Sequence, residues 1–353
     1  MNLDDFNAFN QLDPQNMLGE IDNLPAQLEK AWKLGQTQPL PEMMGIRQVI
    51  ISGMGGSAIG ADLLAAYIAP SCPVPVIVHR DYGLPAWAHG PETLVIASSH
   101  SGNTEETLEA FNAALHNKCR LMAIATGGKL AGRAAQAKIP LWKFEHAGQP
   151  RAAVGFSFGL LLAVFARLGL IPDLANELAG AVAAMKKQQE TLRADVPVAH
   201  NPAKRMAGQL VGRWVNVYAS GCLAPVARRW KGQVNEIAKA GAGFEVLPEA
   251  DHNALAGTLN PADILSRTAT LFLRAPSDHP RNHLRADLTR QGFMVEGLNT
   301  DVYEAQGESL LSHIWTTLHF GDYTAYYLAI AYGADPTLVD TLENFKAAMK
   351  AAR

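Results

Sequence analysis

Residues 98–108 read Ser-Ser-His-Ser-Gly-Asn-Thr-Glu-Glu-Thr-Leu, which gathers Ser99, Ser101 and Thr104 around Gly102. The apolar run Thr-Leu-Val-Ile-Ala at 93–97 reads as a buried parallel strand, and 105–111 as the first turns of a helix. The hydroxyls therefore fall at a strand-to-helix turn. The first N–H groups of a helix lack intrahelical partners and the dipole places partial positive charge there, so an anion is favoured. A phosphate fits, because three hydroxyls donate to it and a glycine lets the backbone approach. Capping alone needs one hydroxyl, with a glutamate completing the box. Four hydroxyl residues and a glycine within seven positions exceed that need and read as a phosphate cradle.

A second glycine-rich turn, Gly53-Met54-Gly55-Gly56-Ser57, follows a strand at 48–51. It has the look of a dinucleotide fingerprint, but His79-Arg80-Asp81 replaces the simple acidic strand end, and Ser57 stands where close packing would favour glycine. Gly55, Gly56 and Ser57 are better read as a second strand-to-helix turn on the same crevice, offering N–H groups to a sugar hydroxyl or phosphate.

Four further side chains could carry proton transfer or charge. In Lys-Gly-Gln-Val-Asn-Glu-Ile-Ala at 231–238, Val234, Ile237 and Ala238 form the buried stripe and leave Glu236 at its edge. A partly desolvated carboxylate there would have a raised pKa and could act as a base, although the spacing alone favours a solvated helix glutamate. His252 lies in a loop after a strand, where an imidazole can pass protons near neutral pH or simply face water. Arg151 follows Pro150 in a loop and presents permanently charged, paired donors. Lys346, on the last helix, reads by itself as one of several solvated lysines. His279 and His283 have the four-residue spacing of two zinc ligands, but no third ligand accompanies them, so no metal site is assigned. Trp214, Trp230 and Trp315 read as core.

These residues must be positioned by a chain of 353 residues, 48% hydrophobic and 18% charged, enough for two ordinary domains. A formal charge of −3 offers no general basic field, so neither nucleic acid nor an anionic membrane is expected as a partner. Three distant cysteines, no secretory signal and no apolar stretch of about 18 residues point to a cytoplasmic protein with reduced thiols. Helical spacing fills 1–40 and reads as arms packed on a first domain. Strands are expected at 48–51, 74–79, 94–98, 120–125 and 141–144, with helices between, which is the pattern of a doubly wound parallel sheet. Apolar helices at 152–170 and 174–192 form a linking layer. Strands then restart at 214–220, 244–247 and 270–274, with one more beginning or ending at Val295, and helices at 226–240, 281–291, 310–332 and 336–349. The expected plan is an α/β chain with a helical arm at 1–40, one sandwich at 41–195 and a second, with a C-terminal helix, at 196–353.

Gly-Met-Gly-Gly-Ser at 53–57 with Ser-x-Ser-Gly-x-Thr-x-Glu-Thr at 99–107 resembles the sugar-isomerase (SIS) domain, a phosphosugar-binding α/β sandwich. Gln149-Pro150-Arg151-Ala152-Ala153, Asn235-Glu236, Asp251-His252-Asn253, Gly321-Asp322-Tyr323 and Asp335-Pro336 before Lys346 resemble, in that order, the bifunctional phosphoglucose/phosphomannose isomerase family. The resemblance covers nearly the whole chain and implies tandem SIS domains interconverting glucose 6-phosphate, and also mannose 6-phosphate, with fructose 6-phosphate through a cis-enediol. It implies that Ser57, Ser99, Ser101 and Thr104 hold phosphate, Glu236 is the base, Arg151 stabilises the enediolate, and His252 and Lys346 assist ring opening. It further implies a homodimer in which the histidine crosses the interface, with no cofactor or metal. The chain departs from the family pattern at Phe144-Glu145-His146 and at Ala254-Leu255-Ala256-Gly257, which bears on substrate preference. A non-catalytic phosphosugar sensor is the alternative; no helix-turn-helix or basic arm supports it, and Glu236, His252 and Arg151 speak against it. The isomerase half of an amidotransferase is disfavoured by Asn2, where a glutaminase would need cysteine.

Overall fold

The computed structural model describes residues 2–352. Three helices lead: α1 (Phe6–Leu12), α2 (Met17–Asp22) and α3 (Leu24–Thr37). Then come β1 (Gln48–Ser52), α4 (Gly55–Ile68), β2 (Val76–His79), β3 (Thr93–Ser99), α5 (Glu105–His116), β4 (Arg120–Ala125), α6 (Gly128–Gln136) and β5 (Leu141–Lys143). Helices α7 (Val154–Arg167), α8 (Ala175–Leu192) and α9 (Pro202–Leu210) lead to the second set. That set is β6 (Trp214–Ser220), α10 (Ala224–Glu236), β7 (Ala242–Leu247), α11 (Ala262–Leu265), β8 (Thr268–Arg274), α12 (Pro280–Val295) and β9 (Asn299–Glu304), followed by α13 (Leu310–Tyr332) and α14 (Asp340–Ala351).

Every residue of β3 is buried, as are Val49, Ile50 and Ile51 of β1, because helices cover both faces of a parallel sheet. The first sheet runs β2-β1-β3-β4-β5 and the second β7-β6-β8-β9, all neighbours parallel. The second thus repeats the order of the first four strands of the first. In both, the strand order reverses beside the first strand, and the crevice at that reversal, at the strands' carboxyl ends, is where α/β sheets bind ligands. In the first sheet it falls between β1 and β3, whose carboxyl ends run into the two glycine-rich turns.

Alternation of strand and helix was readable from the sequence; some edges differ. Val295 ends α12, and the last strand lies at Asn299–Glu304. That strand sits at the sheet edge with Tyr303 as its single buried residue, so it carries no apolar run to announce it. Helix α10 stops at Glu236 rather than 240, with Lys239 in the left-handed region at φ 57°. Trp230 and Trp315 are core, but Trp214 is 49% exposed and lies against Gly241 at the rim of its sheet.

One hydrophobic core runs through both halves. Helix α13 is buried from Leu311 to Ile330 and packs against α8, α9 and α10, while α7 packs against α3 and α4. Phe158 of α7 meets Trp315 of α13 edge to face at 5.2 Å. The N-terminal helices touch more than the first half: Phe9 packs on Tyr326 and Tyr327, and the backbone oxygen of Ile21 lies 2.8 Å from Nε2 of His319. Among the described residues no helix is long and apolar enough to cross a membrane.

Candidate active site

The turn after β3 is closed by its own hydroxyls. Ser99 Oγ lies 2.9 Å from Thr104 Oγ1 and accepts the Gly102 N–H at 3.1 Å, while Ser101 Oγ accepts the Asn103 N–H at 3.2 Å. Thr104 occupies the N-cap of α5 but makes no side-chain cap bond, so its hydroxyl is not spent on capping. Gly102 has φ +67°, and a Cβ there would lie 1.9 Å from the Gly127 oxygen, so this close approach of two turns requires glycine.

The turn after β1 joins this cradle to the rest of the site. Ser57 Oγ accepts the backbone N–H of His100 at 3.2 Å, fastening the two turns together. On its other side, a Cβ at Gly56 would lie 2.4 Å from the Pro150 oxygen, so the turn rests directly on the 3-10 turn Pro150–Ala152 that carries Arg151. Arg151 is 6% exposed; its Nη2 donates to the Pro336 oxygen at 3.1 Å and to the Thr337 oxygen. Its Nη1 stands 3.6 Å from Glu236 Oε2, and its buried Nε takes no partner from the described residues. Burial lowers the guanidinium pKa, opposed by the charges of Glu236 and Asp335. A cavity of about 340 Å³ is lined by Gly55, Gly56, Arg80, Arg151, Lys231 and Glu236 among others.

Glu236 ends α10 at the edge of a stripe in which Val234, Ile237 and Ala238 are buried, and its side chain is 35% exposed, the placement its spacing suggested. Lys239 caps that helix end, donating from Nζ to the Glu236 and Ile237 oxygens at 2.7 and 3.2 Å. Burial, with Arg151 nearby, lowers its pKa to about 8.

The structure thus brings Gly55, Gly56, Arg151 and Glu236 to one cavity and ties Ser57, Ser99, Ser101 and Thr104 to its flank. His252 and Lys346 do not line it. His252 is exposed in the 3-10 turn Glu249–His252, held beside α12 by Asp251, which accepts from Arg285 and Thr289. Lys346 pairs with Glu343 at 2.7 Å on α14, a helix with no buried residue.

Sequence reasoning missed what holds Arg151 and Glu236 in place. Arg229, 3% exposed, grips Asp322 with two bonds, at 3.1 and 2.6 Å, and donates twice to the Arg151 oxygen at 3.2 Å. Gln233 donates to the same Asp322 carboxylate at 2.9 Å. The available signal was polar residues at 229, 233 and 236, spaced along one face of a helix otherwise rich in buried apolar positions.

Known proteins resemble this chain in sequence and in fold. Residues 199–349 match the bacterial phospho-glucose isomerase C-terminal SIS domain. The chain is 39% identical, over 94% of its length and 98% of the relative's, to a bifunctional phosphoglucose/phosphomannose isomerase of Caldicellulosiruptor bescii. A relative of the same description from Aquifex aeolicus is 32% identical over 86% of this chain and 90% of its own. The fold is similar to the crystal structure of tagatose-6-phosphate ketose/aldose isomerase from Escherichia coli, with TM-score 0.69 and 16% identity, covering 91% of this chain and 94% of that one. With 39% identity to a relative over nearly the full length of both, the chain belongs to the bifunctional phosphoglucose/phosphomannose isomerase family.

Proposed function

We propose that the protein interconverts glucose 6-phosphate, and also mannose 6-phosphate, with fructose 6-phosphate. The observation that carries this is the pairing of a carboxylate with a buried guanidinium, Glu236 Oε2 and Arg151 Nη1 at 3.6 Å, in a cavity whose floor includes Gly55 and Gly56. Ser57, Ser99, Ser101 and Thr104 hold the phosphate, helped by the positive end of the α5 dipole. Glu236 removes the proton from C2 of the open-chain aldose and returns it to C1, while Arg151 balances the charge on the enediolate oxygens. Two aldoses that differ only at C2 converge on one planar enediol, so a single base serves both if rotation about C2–C3 is permitted. The chemistry asks for no redox cofactor or metal.

The working unit is a homodimer in which the partner supplies His252 for ring opening, assisted by Lys346. Supporting this, both side chains stand outside their own chain's cavity, and α14 exposes Leu342, Phe345 and Met349 on one side. The test is a coupled assay with each aldose phosphate in EDTA, beside Glu236→Gln. Turnover of both substrates, lost by about 100-fold or more in the variant, is the expected result. Tight binding without turnover by the unmodified protein would return the chain to the sensor reading.

A further inference from the structure

His100 stands between Ser99 and Ser101 in the cradle, and the isomerase reading gives it nothing to do. Its backbone is fixed on both sides: its N–H goes to Ser57 Oγ, and its oxygen accepts from Thr126 N and Oγ1 at 3.0 and 2.7 Å. From that anchor its ring reaches His146, with Nε2 2.9 Å from His146 Nδ1, and His146 Nε2 lies 3.1 Å from Glu20 Oε2. We propose that Glu20, His146 and His100 form a proton-accepting relay ending in the phosphate turn, and that binding of a dianionic sugar phosphate there is accompanied by uptake of a proton onto the His100–His146 pair. This rests on the reading of that turn as a phosphate cradle.

The directions of the hydrogen bonds follow from the groups. A carboxylate can only accept, so His146 gives its Nε2–H to Glu20. A neutral His146 then has a lone pair at Nδ1 and accepts Nε2–H from His100, which leaves Nδ1 of His100 as the basic atom. That nitrogen takes no partner from the described residues.

The surroundings disfavour a charge on His100. His146 is 7% exposed, and the rings sit among Phe144, 5.8 Å from His100, and Phe156, 6.0 Å from His146. Burial first, and His146 second, lower the His100 pKa to about 4. The charged group facing the pair is Glu20 from α2; Lys30 of α3 lies over the Phe156 ring, 5.8 Å from its centre, and Ser57, Thr126, Phe144 and Phe156 are uncharged. A phosphate dianion seated beside His100 reverses this balance, since a nearby negative charge favours the imidazolium. The proton enters from solvent, and the resulting cation lies between the phosphate and the Glu20 carboxylate. Room for the relay is made at Gly148, where a Cβ would lie 2.4 Å from Glu20 Oε1 and 2.9 Å from His146 Cε1. His146, part of a departure from the family pattern, thus acquires a role, as does the arm that carries Glu20.

Calorimetric titration of the full-length protein with sulfate, which stays dianionic across the working range, and with fructose 6-phosphate tests this. Each titration is run in two buffers of different ionisation enthalpy at pH 7.5. Uptake of about half a proton or more per sulfate is expected, with sulfate affinity falling about fivefold or more from pH 6.5 to 8.5. In His100→Asn both the uptake and the pH dependence should vanish, and in Glu20→Gln the uptake should shrink. Sulfate binding with less than about 0.1 proton in the unmodified protein, or equal uptake in His100→Asn, overturns the relay while leaving the cradle intact. Failure of both ligands to bind overturns the cradle reading and the relay with it. Should His100→Asn not fold, the proton count of the unmodified protein decides alone.

Discussion

Arg151 is held by its backbone acceptors but not consumed by its carboxylate. At 3.6 Å from Glu236 it forms an ion pair longer than a hydrogen bond, so both groups keep capacity for a substrate. The same economy marks the cradle, where Ser99 and Thr104 bond each other and not the helix end behind them. Gly102 is what brings that turn against Gly127, and it tolerates no side chain there. Gly102→Ala must either open the φ +67° turn or push the facing turn away, a strain of about 1–3 kcal/mol. The expected outcome is a KM for fructose 6-phosphate raised about tenfold or more, with kcat changed much less, because the damage falls on the phosphate end and not on Glu236. Steady-state kinetics with saturating substrate separates the two. An equal fall in kcat at unchanged KM would place the cradle elsewhere.

At the scale of elements, α10 is aligned by α13. Asp322 holds Arg229 and Gln233, which share a helix face with Glu236, while Arg229 also bonds the oxygen of Arg151. One buried carboxylate therefore sets the spacing between base and cation. Asp322→Asn weakens the bidentate grip, and kcat is expected to fall about tenfold or more with KM within about threefold. The double variant Arg229→Met, Asp322→Leu replaces a buried ion pair by apolar volume, a change that often leaves stability intact. Its thermal midpoint should stay near that of the unmodified protein while kcat remains low; full activity in that variant would make the pair merely structural. This coupling was not legible in the sequence, because Arg229 and Asp322 are 93 residues apart and nothing local pairs them, although Asp322 lies in one of the motifs that carry the family resemblance. What was legible is local. β1 and β3 are apolar runs because both faces are covered, and the two turns follow them directly, so sheet, crevice and cradle could be read together. The edge strand Asn299–Glu304 and Trp214, at the exposed start of β6, differ from their sequence readings for the converse reason: at a sheet edge or a strand end, burial no longer shapes the sequence.

The whole molecule depends on contacts between the N-terminal arm and the second half, and these give it an acid limit. His319, wholly buried on α13, lies against the Ile21 oxygen, and burial lowers its pKa from 6.5 to about 4. Between those values the unfolded chain binds a proton that the folded one refuses, so stability is complete above pH 6.5 and falls as pH drops towards 4. His319 alone accounts for a loss of ~3 kcal/mol across that window. The thermal midpoint should fall between pH 7 and pH 4.5, and His319→Gln, which can still donate to Ile21, should lose much of that fall. The arm and α13 thus fix one chain's fold, whereas the proposed reaction asks for two chains. If His252 reaches the partner's cavity, a site needs Glu236 from one chain and His252 from the other. His252→Ala and Glu236→Gln homodimers then each lack every complete site. After mixing and reassociation, half of the dimers are mixed, and each mixed dimer has one site with both residues and one with neither. Activity should therefore rise from near zero to about a quarter of the unmodified value. Were both residues drawn from the same chain, every site in the mixed dimer would lack one of them and mixing would restore nothing.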